Sequence, residues 1–324
     1  MDFRLAALER WLGAQFPAKS VTLAPASEDA SFRRYWRLSL PDGRSFVVMD
    51  APPEKENCGA FLHAARAFAE AGVHVPRIHA QDLDSGFLLL EDLGNTTYLD
   101  FFRDHDPKAP YAAATDALIR IQLASRPGIL PEYDRALLER ELHLFPDWYI
   151  ERELRRKLVP SEARNLRDVF EALLANNLAQ PRVFVHRDYH SRNLMVCDPL
   201  PGILDFQDAV YGPISYDLVS LFRDAYVRWE EAQVLDWVAR YWEKARKARL
   251  PVREDFAEFY RDFEWMGAQR QIKVVGIFAR LCHRDGKERY LADIPRVLGY
   301  LLATTRRYRE LAPLAQLLDT LASK

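Results

Sequence analysis

The chain has few cysteines and no long hydrophobic run. Its three cysteines are odd in number, far apart and in no CxxC pair, so they predict neither a disulfide framework nor a cysteine zinc site: Cys58, Cys197 and Cys282. Reduced thiols of this kind are typical of a cytoplasmic protein. The longest apolar runs, such as 87–90 and 274–279, are too short to span a bilayer, and charged residues interrupt the N-terminal stretch where a signal peptide is apolar. We therefore expect a soluble, cytoplasmic protein with no membrane partner.

The chain also has almost no net charge. The 324 residues include 45 Lys and Arg against 47 Asp and Glu, which gives a net charge of −2. Such a chain has no overall field that attracts nucleic acid, so we expect no nucleic-acid partner, and we infer no obligate protein partner. Hydrophobic residues make up 49% of the chain, enough for a sizeable core. The length corresponds to about two domains.

The two common glycine-rich nucleotide motifs are also absent. The sequence contains neither G-x-x-x-x-G-K-[ST] nor G-x-G-x-x-G. A P-loop or Rossmann nucleotide site is therefore not supported. The positive signals lie in the spacing of apolar residues and in one polar segment.

Hydrophobic spacing divides the chain into a strand-rich first part and a helical second part. After an opening helix, the pattern predicts five strands and one helix: strands over 20–25, 32–40, 46–50, 77–81 and 87–92, and a helix over 57–71. From Thr96 onward helical spacing dominates, over 111–124, 135–156, 162–177, 215–247 and 254–281. The sequence therefore predicts an α+β protein with a small β-rich lobe, residues 1–94, and a larger, mainly helical lobe, residues 95–324.

A polar segment with short β-like islands interrupts the helical part. The islands 194–197 and 203–205 flank a turn rich in proline and glycine, which predicts a hairpin. A hairpin brings its open ends together, so we expect Asn193 and Asp205 to converge. An amide oxygen and a carboxylate suit Mg²⁺ shared with substrate phosphates. Asp188 precedes Asn193 by five residues and can reach a substrate hydroxyl beside that metal, so the segment predicts a phosphoryl-transfer site.

Two histidines in this segment have an HxxxH spacing. The zinc motif with that spacing needs a helix and a glutamate directly after the first histidine. Here a strand precedes His186 and Arg187 follows it. We therefore expect a structural or substrate-contacting role for His186 and His190.

The same segment resembles a known family. His186-Arg187-Asp188 with Asn193 matches the kinase pattern H-R-D-x-x-x-x-N, and Asp205-Phe206-Gln207 stands where protein kinases have D-F-G. Gln207 replaces the glycine of D-F-G, and no A-P-E signature follows it. In both respects the sequence resembles the aminoglycoside phosphotransferase and choline kinase family instead. The resemblance implies a protein-kinase-like two-lobed fold, ATP as the co-substrate and Mg²⁺ as the cofactor. It also implies roles for single residues: Asp188 as the catalytic base, Asn193 and Asp205 as Mg²⁺ ligands, Glu91 and Leu93 as the adenine-binding hinge, and His186 and Asp217 as braces of the catalytic loop.

Four further segments resemble bacterial kinases of cell-wall recycling, which phosphorylate the anomeric hydroxyl of N-acetylmuramate and N-acetylglucosamine. They are residues 29–35, 49–54, 141–149 and 273–281. The resemblance implies a small sugar as the second substrate. The candidates for contact with this sugar are Glu141, Trp148, Arg270 and Lys273.

Two features depart from the kinase pattern. Met49 stands on the third strand, where kinases carry a lysine that binds phosphates. Residues 14–42 contain no glycine, so the loop over the phosphates cannot be glycine-rich. Ser27, Ser31 and Arg33 are the candidates for holding phosphate there.

Three hypotheses remain open. The first is an ATP- and Mg²⁺-dependent kinase that acts on the anomeric hydroxyl of an amino sugar. The second keeps this chemistry but takes an aminoglycoside or another small alcohol, and an aminoglycoside requires an acidic pocket around Asp188. The third is a pseudokinase-type binding module, suggested by Met49. The intact set of Asp188, Asn193 and Asp205 argues against the third.

Overall fold

A five-stranded antiparallel sheet forms the first part of the chain, in a computed structural model that describes residues 3–17, 21–28 and 32–322. The strands lie in the order β1-β2-β3-β5-β4. Their bounds are β1 Thr22–Glu28, β2 Arg34–Ser39, β3 Ser45–Asp50, β4 Ile78–Asp82 and β5 Phe87–Glu91, and two helices accompany them, α1 Phe3–Gln15 and α2 Cys58–Glu70. The predicted strands and helices of this part are confirmed, with shifts of a few residues at their ends.

Alternation along the strands gives the sheet two apolar faces. On one face Val48 and Leu89 pack with Leu8 and Leu12 of α1. On the other face, residues such as Met49 join a larger core shared with α2 and the second part of the chain. Because both faces are covered, β5 is a continuous apolar run and does not alternate.

A buried carboxylate connects α1 to the sheet. Asp50, the last residue of β3, is fully buried. It accepts hydrogen bonds from Arg4 on α1 at 2.9 Å and from Arg34 on β2 at 3.0 Å. Two guanidinium groups around one carboxylate offset the cost of burying its charge. This position, directly after Met49, therefore serves the fold of the sheet.

Helices make up most of the second part, as the helical spacing predicts. They are α3 Tyr98–Phe101, α4 Lys108–Leu123, α5 Arg135–Leu144, α6 Pro160–Leu178, α7 Tyr216–Phe222, α8 Glu231–Lys247, α9 Phe256–Asp285, α10 Ile294–Arg307 and α11 Ala312–Ala322, with a π-helical segment Phe145–Glu153 and 3₁₀ segments Glu288–Asp293 and Arg309–Leu311. The central element is α9, which has 30 residues and packs against α5, α6, α7, α8 and α10. A helix buried on most sides needs no strongly amphipathic pattern.

The predicted helix 215–247 is wrong as a single helix, because the structure divides it into α7 and α8. Asp224 lies in the connection and is fully buried. Its carboxylate accepts hydrogen bonds from the backbone N–H groups of Ser191 and Tyr226, each at 2.8 Å. A side chain that binds backbone N–H groups in this way stabilises an irregular backbone in place of a helix.

The predicted helix 135–156 is also different from a single α-helix, since α5 continues as the π-helical segment. Gly276 of α9 lies against the junction. A Cβ atom at Gly276 would be 2.4 Å from the carbonyl carbon of Leu144, so only a glycine allows this approach. The helices α10 and α11 add to the predicted set.

Two small antiparallel sheets lie within the helical part. Strand β6, Arg182–Val185, pairs with β9, Val210–Pro213, and β7, Leu194–Met195, pairs with β8, Gly202–Ile203. The second pair is the predicted hairpin, with shorter strands. The predicted lobe boundary between residues 94 and 95 falls in the connection between β5 and α3 and stays a prediction. Within the described ranges, no helix combines the length and apolar character needed to cross a membrane.

Candidate active site

A cavity of about 500 Å³ lies between the sheet and the helical part. Its lining includes Asp188, Asn193 and Asp205 from the segment predicted to transfer phosphate, and Arg270 and Lys273 from the predicted sugar contacts. The rest of the lining includes apolar residues from the sheet and from α9, and two acidic residues, Glu91 and Asp92. One cavity therefore brings together residues from several distant segments.

The segment predicted as the catalytic loop, residues 186–193, is held by a buried carboxylate at the start of α7. Asp217 accepts hydrogen bonds from the backbone N–H groups of His186 at 2.6 Å and Arg187 at 2.9 Å. Arg187 has a φ of 76°, which is strained for a residue with a side chain. Its carbonyl oxygen accepts a hydrogen bond from the Ser220 hydroxyl at 3.2 Å. Burial raises the pKa of Asp217 to about 7, against the effect of the two N–H donors.

His186 is a buried, neutral imidazole beneath the catalytic loop. Its Nε2 lies 2.9 Å from the carbonyl oxygen of Leu204, and its Nδ1 accepts a hydrogen bond from the backbone N–H of Asp188 at 3.2 Å. These partners require the proton on Nε2. Burial lowers the pKa of His186 to about 4, although the charge of Asp188 acts in the opposite direction. Both ring nitrogens have protein partners, so neither is available to zinc.

The hairpin brings Asn193 and Asp205 into contact. Nδ2 of Asn193 donates to Oδ2 of Asp205 at 3.2 Å and to the carbonyl oxygen of Asp188 at 3.0 Å. The other carboxylate oxygen of Asp205 accepts a hydrogen bond from Nε2 of Gln207 at 2.7 Å. The glutamine in place of the kinase glycine thus orients this carboxylate. A carboxylate and an amide oxygen side by side suit a hard divalent cation.

Asp188 carries a charge that neighbouring basic groups stabilise. Its Oδ1 lies 3.6 Å from Nη2 of Arg270 and 4.0 Å from Nε2 of His190. Burial disfavours the carboxylate, but Lys273, His190 and Arg270 outweigh it and hold the pKa of Asp188 well below its usual range. The side chain is 38% exposed and lines the cavity. Asp188 is therefore an ionised group accessible to a substrate.

A buried ion-pair network lies behind Asp188. Glu141 of α5 accepts hydrogen bonds from Tyr133 and Arg187, and its carboxylate lies 3.0 Å from Nζ of Lys273. Burial opposes the charge of Glu141, but Lys273 and Arg187 outweigh it and lower its pKa. Glu141 is not among the described residues that line the cavity. The structure therefore places it behind the cavity wall, where it balances the two cations.

Four other predicted contacts are not found at the cavity, because two lie away from its described lining and two lie outside the described part of the chain. Trp148 is half-buried on the π-helical segment and does not line the cavity. Arg33 forms an ion pair with Glu56 at 2.9 Å, also away from the lining. Ser31 and the side chain of Ser27 lie outside the described residues.

The predicted adenine hinge lines the cavity on the side of the sheet. The carboxylate of Glu91 accepts a hydrogen bond from the backbone N–H of Arg77 at 3.1 Å. Leu93 is buried, and its backbone groups form no hydrogen bond with the described residues. The neighbouring lining is apolar, with Val47, Leu90, Met195 and Leu204. Met49 is fully buried in the core and does not line the cavity.

An aromatic wall of the cavity, which the helical part of the chain supplies, was not predicted. Tyr226, Phe278 and Tyr290 line the cavity together with Arg192. The ring centroids of Tyr226 and Phe278 are 6.1 Å apart, and those of Phe278 and Tyr290 are 5.3 Å apart. The position of Arg192 directly before Asn193 was a usable signal. The three aromatic residues come from separate segments that no sequence spacing connects.

Known proteins are similar to this chain in sequence and in fold. Residues 22–259 match the model of the phosphotransferase enzyme family. The chain is 51% identical to the N-acetylmuramate/N-acetylglucosamine kinase of Neisseria meningitidis serogroup B, over 96% of this chain and 94% of that protein. It is 49% identical to the protein of the same name from Pseudomonas aeruginosa, over 99% of this chain and 97% of that protein.

Among solved structures, a choline/ethanolamine kinase family protein from Mesorhizobium loti is similar. The TM-score is 0.65 over 97% of this chain and 100% of that chain, at 14% identity. This similarity confirms the predicted protein-kinase-like α+β fold. The family match and the high identity along nearly the whole length show that the chain belongs to the phosphotransferase enzyme family and is an ATP-dependent kinase.

Proposed function

We propose that this kinase transfers the γ-phosphoryl group of ATP to the anomeric hydroxyl of N-acetylmuramate or N-acetylglucosamine. The products are a sugar 1-phosphate and ADP. The observation that carries the proposal is the identity of about half of all residues, along almost the full length, with proteins named for kinase activity on these two sugars. The chemistry of the cavity supports it, group by group.

The side of the cavity next to the sheet suits the nucleotide. Val47, Leu90 and Leu204 offer apolar surface to an adenine ring. The backbone of Leu93 is free of hydrogen bonds to the described residues, so it is available to the polar edge of that ring. We therefore assign Leu93 to the nucleotide-binding hinge, together with Glu91, which lines the cavity beside it and whose backbone N–H donates to Arg77.

Asn193 and Asp205 fit the role of Mg²⁺ ligands. Both residues line the cavity, and the nitrogen of Asn193 is occupied by Asp188 and Asp205, which leaves its oxygen as the atom suited to a cation. Gln207 holds the Asp205 carboxylate from the other side. Bound Mg²⁺ neutralises the charge of the nucleotide phosphates.

Asp188 is the candidate catalytic base. In the reaction, the sugar oxygen forms a bond to the γ-phosphorus, the bond from that phosphorus to the bridging oxygen of ADP breaks, and the hydroxyl proton passes to Asp188. A carboxylate with a lowered pKa is a weak base. The ring oxygen makes the anomeric hydroxyl the most acidic hydroxyl of a sugar, so it is the hydroxyl from which a carboxylate removes a proton most easily.

The charge around Asp188 disfavours an aminoglycoside as the substrate. Arg192, Arg270 and Lys273 line the same cavity, and polycationic antibiotics need an acidic pocket. Of the other acidic lining residues, Asp205 is the candidate metal ligand, and two more lie at the hinge. The acidic pocket expected for an aminoglycoside is therefore not present among the described residues.

The test is an ADP-release assay of the purified protein with both amino sugars, a glucosamine-based aminoglycoside and choline, followed by ³¹P NMR of the product. We expect turnover of the two amino sugars and an acid-labile phosphate on C1. Asp188→Asn is expected to lower kcat by about 10³-fold or more. Asp208→Asn is the matched control, since Asp208 is exposed, close in sequence and outside the cavity lining, and it is expected to keep full activity. A phosphate on another carbon contradicts the anomeric assignment, and full activity of Asp188→Asn contradicts the role of Asp188.

A further inference from the structure

Arg192 is unusual among the basic groups of the cavity, because no acid compensates it. Its guanidinium lies 4.7 Å from the ring centroid of Tyr226, beside the hydroxyl groups of Tyr226 and Tyr290. It is exposed and lines the cavity. In the described part of the chain, no carboxylate forms an ion pair with it.

The other basic lining residues already face a carboxylate. Arg270 is paired with Asp188 at 3.6 Å, and Lys273 with Glu141 at 3.0 Å. Nε2 of His190 lies 4.0 Å from Oδ1 of Asp188. Among the described lining residues, Arg192 is therefore the cation available to an anionic group of a ligand.

The neighbours of Arg192 come from the helical part of the chain and not from the sheet that carries the predicted hinge. Tyr226 and Tyr290 flank it, and Phe278 lies between these two rings. These residues belong to the aromatic wall, which the connection after α7, α9 and a 3₁₀ segment supply. Aromatic rings with one cation over the face of one of them offer apolar surface and a single positive charge, which suits a ring-shaped ligand that carries one negative charge.

We propose that Arg192 binds the lactyl carboxylate of N-acetylmuramate and so determines how well the enzyme uses this sugar relative to N-acetylglucosamine. The inference depends on the proposed function, which supplies these two substrates. The two sugars differ in the lactyl ether, and only N-acetylmuramate is anionic. A guanidinium group matches a carboxylate with two parallel hydrogen bonds, and such charge-assisted pairs are strong. The γ-phosphate of ATP is the other anion that Arg192 could contact, and the experiment separates the two.

The experiment compares steady-state kinetics of the wild type, Arg192→Gln and Arg192→Lys with each sugar, with ATP also varied. We expect Arg192→Gln to lower kcat/KM for N-acetylmuramate by about 10- to 100-fold, mainly through KM. The value for N-acetylglucosamine is expected to stay within about twofold, and the KM for ATP to stay unchanged. Arg192→Lys keeps the charge but lacks the planar guanidinium group. Its kcat/KM for N-acetylmuramate is expected to lie between those of the wild type and Arg192→Gln. The methyl ester of N-acetylmuramate is a neutral probe, and the wild type is expected to use it as poorly as Arg192→Gln uses the acid.

Arg228→Gln is the matched control. Arg228 is also exposed and lies 5.9 Å from the ring of Tyr300, but it does not line the cavity. Arg228→Gln is expected to leave the ratio of the kcat/KM values for the two sugars unchanged. Equal losses for both sugars, or a raised KM for ATP in both reactions, overturn the inference in favour of a phosphate contact while the proposed function stands. A wild type that phosphorylates neither sugar overturns the proposed function and the inference together.

Discussion

Replacement of Glu141 by glutamine separates a structural role from a substrate-binding one. The sequence resemblance predicts contact with the sugar, whereas the structure places the carboxylate between Arg187 and Lys273, behind the cavity wall. Glutamine has nearly the same shape but no charge. The substitution therefore leaves two buried cations without their common counter-ion.

The expected loss of stability follows from this geometry. Removing one partner of a buried ion pair costs about 3–5 kcal/mol, because the remaining charge stays buried without compensation. For a chain of 324 residues, the entropy of unfolding scales to about 0.7 kcal/mol/K. The predicted loss corresponds to a fall in Tm of about 4–7 °C. A double variant that combines Glu141→Gln with Lys273→Met has one buried, uncompensated cation fewer. It is therefore expected to be more stable than Glu141→Gln alone.

The assay combines thermal unfolding by circular dichroism with sugar kinetics well below Tm. Glu139→Gln on the same helix is the control, since Glu139 forms no hydrogen bond or ion pair with the described residues, and its Tm is expected to change by less than about 1 °C. We expect Glu141→Gln to lower Tm and leave the KM for the sugar nearly unchanged. An unchanged Tm together with a clearly raised KM for the sugar refutes the reasoning and favours direct contact.

Two further predictions concern the catalytic loop and the packing of α9. The pKa of His186 is about 4 in the folded protein, and 6.5 is its ordinary value. Between about pH 6.5 and 4, His186 therefore binds a proton in the unfolded chain but not in the folded protein. The free energy of unfolding is then expected to fall by about 2 kcal/mol between pH 7.5 and 5 through this group. Urea unfolding of His186→Gln measures this, and an equally steep pH dependence in the variant contradicts the assignment. Gly276→Ala forces a methyl group toward the backbone of Leu144 and is expected to lower stability by about 1–3 kcal/mol, whereas Gly13→Ala, with open space around it, is expected to be neutral or slightly stabilising. Equal urea midpoints for the two alanine variants contradict the close approach.

The arrangement of the catalytic loop and the hairpin was predictable because it is local. Asp188, Asn193 and Asp205 lie within one short stretch of chain. A turn rich in proline and glycine is enough to bring the ends of two strands together. The strands of the sheet were predictable for a similar reason, since short apolar or alternating runs between turn residues are local signals.

The residues on the proposed sugar side of the cavity were only partly predictable, since Arg270 and Lys273 line the cavity and Glu141 and Trp148 do not. Glu141 and Trp148 lie in a segment that resembles sugar-binding kinases, and sequence cannot tell which face of a buried helix points to a cavity. The break between α7 and α8 depends on the buried Asp224, whose partners lie in the catalytic loop and in the connection itself. Helical spacing continues across this break, because apolar residues on both sides still pack against the core.

The sequence by itself predicted the phosphoryl-transfer chemistry of this protein, and the tertiary structure decided which side chains line the cavity around the predicted catalytic groups. Phosphoryl transfer needs a base and two oxygen ligands, and a short loop with a hairpin brings together the three residues that we propose for these roles. The cavity wall formed by Arg192, Tyr226, Phe278 and Tyr290 arises only when the catalytic loop, the connection after α7, α9 and a 3₁₀ segment pack together. Spacing along the chain carries no information about such packing, because each of these segments is separately consistent with an ordinary core or surface.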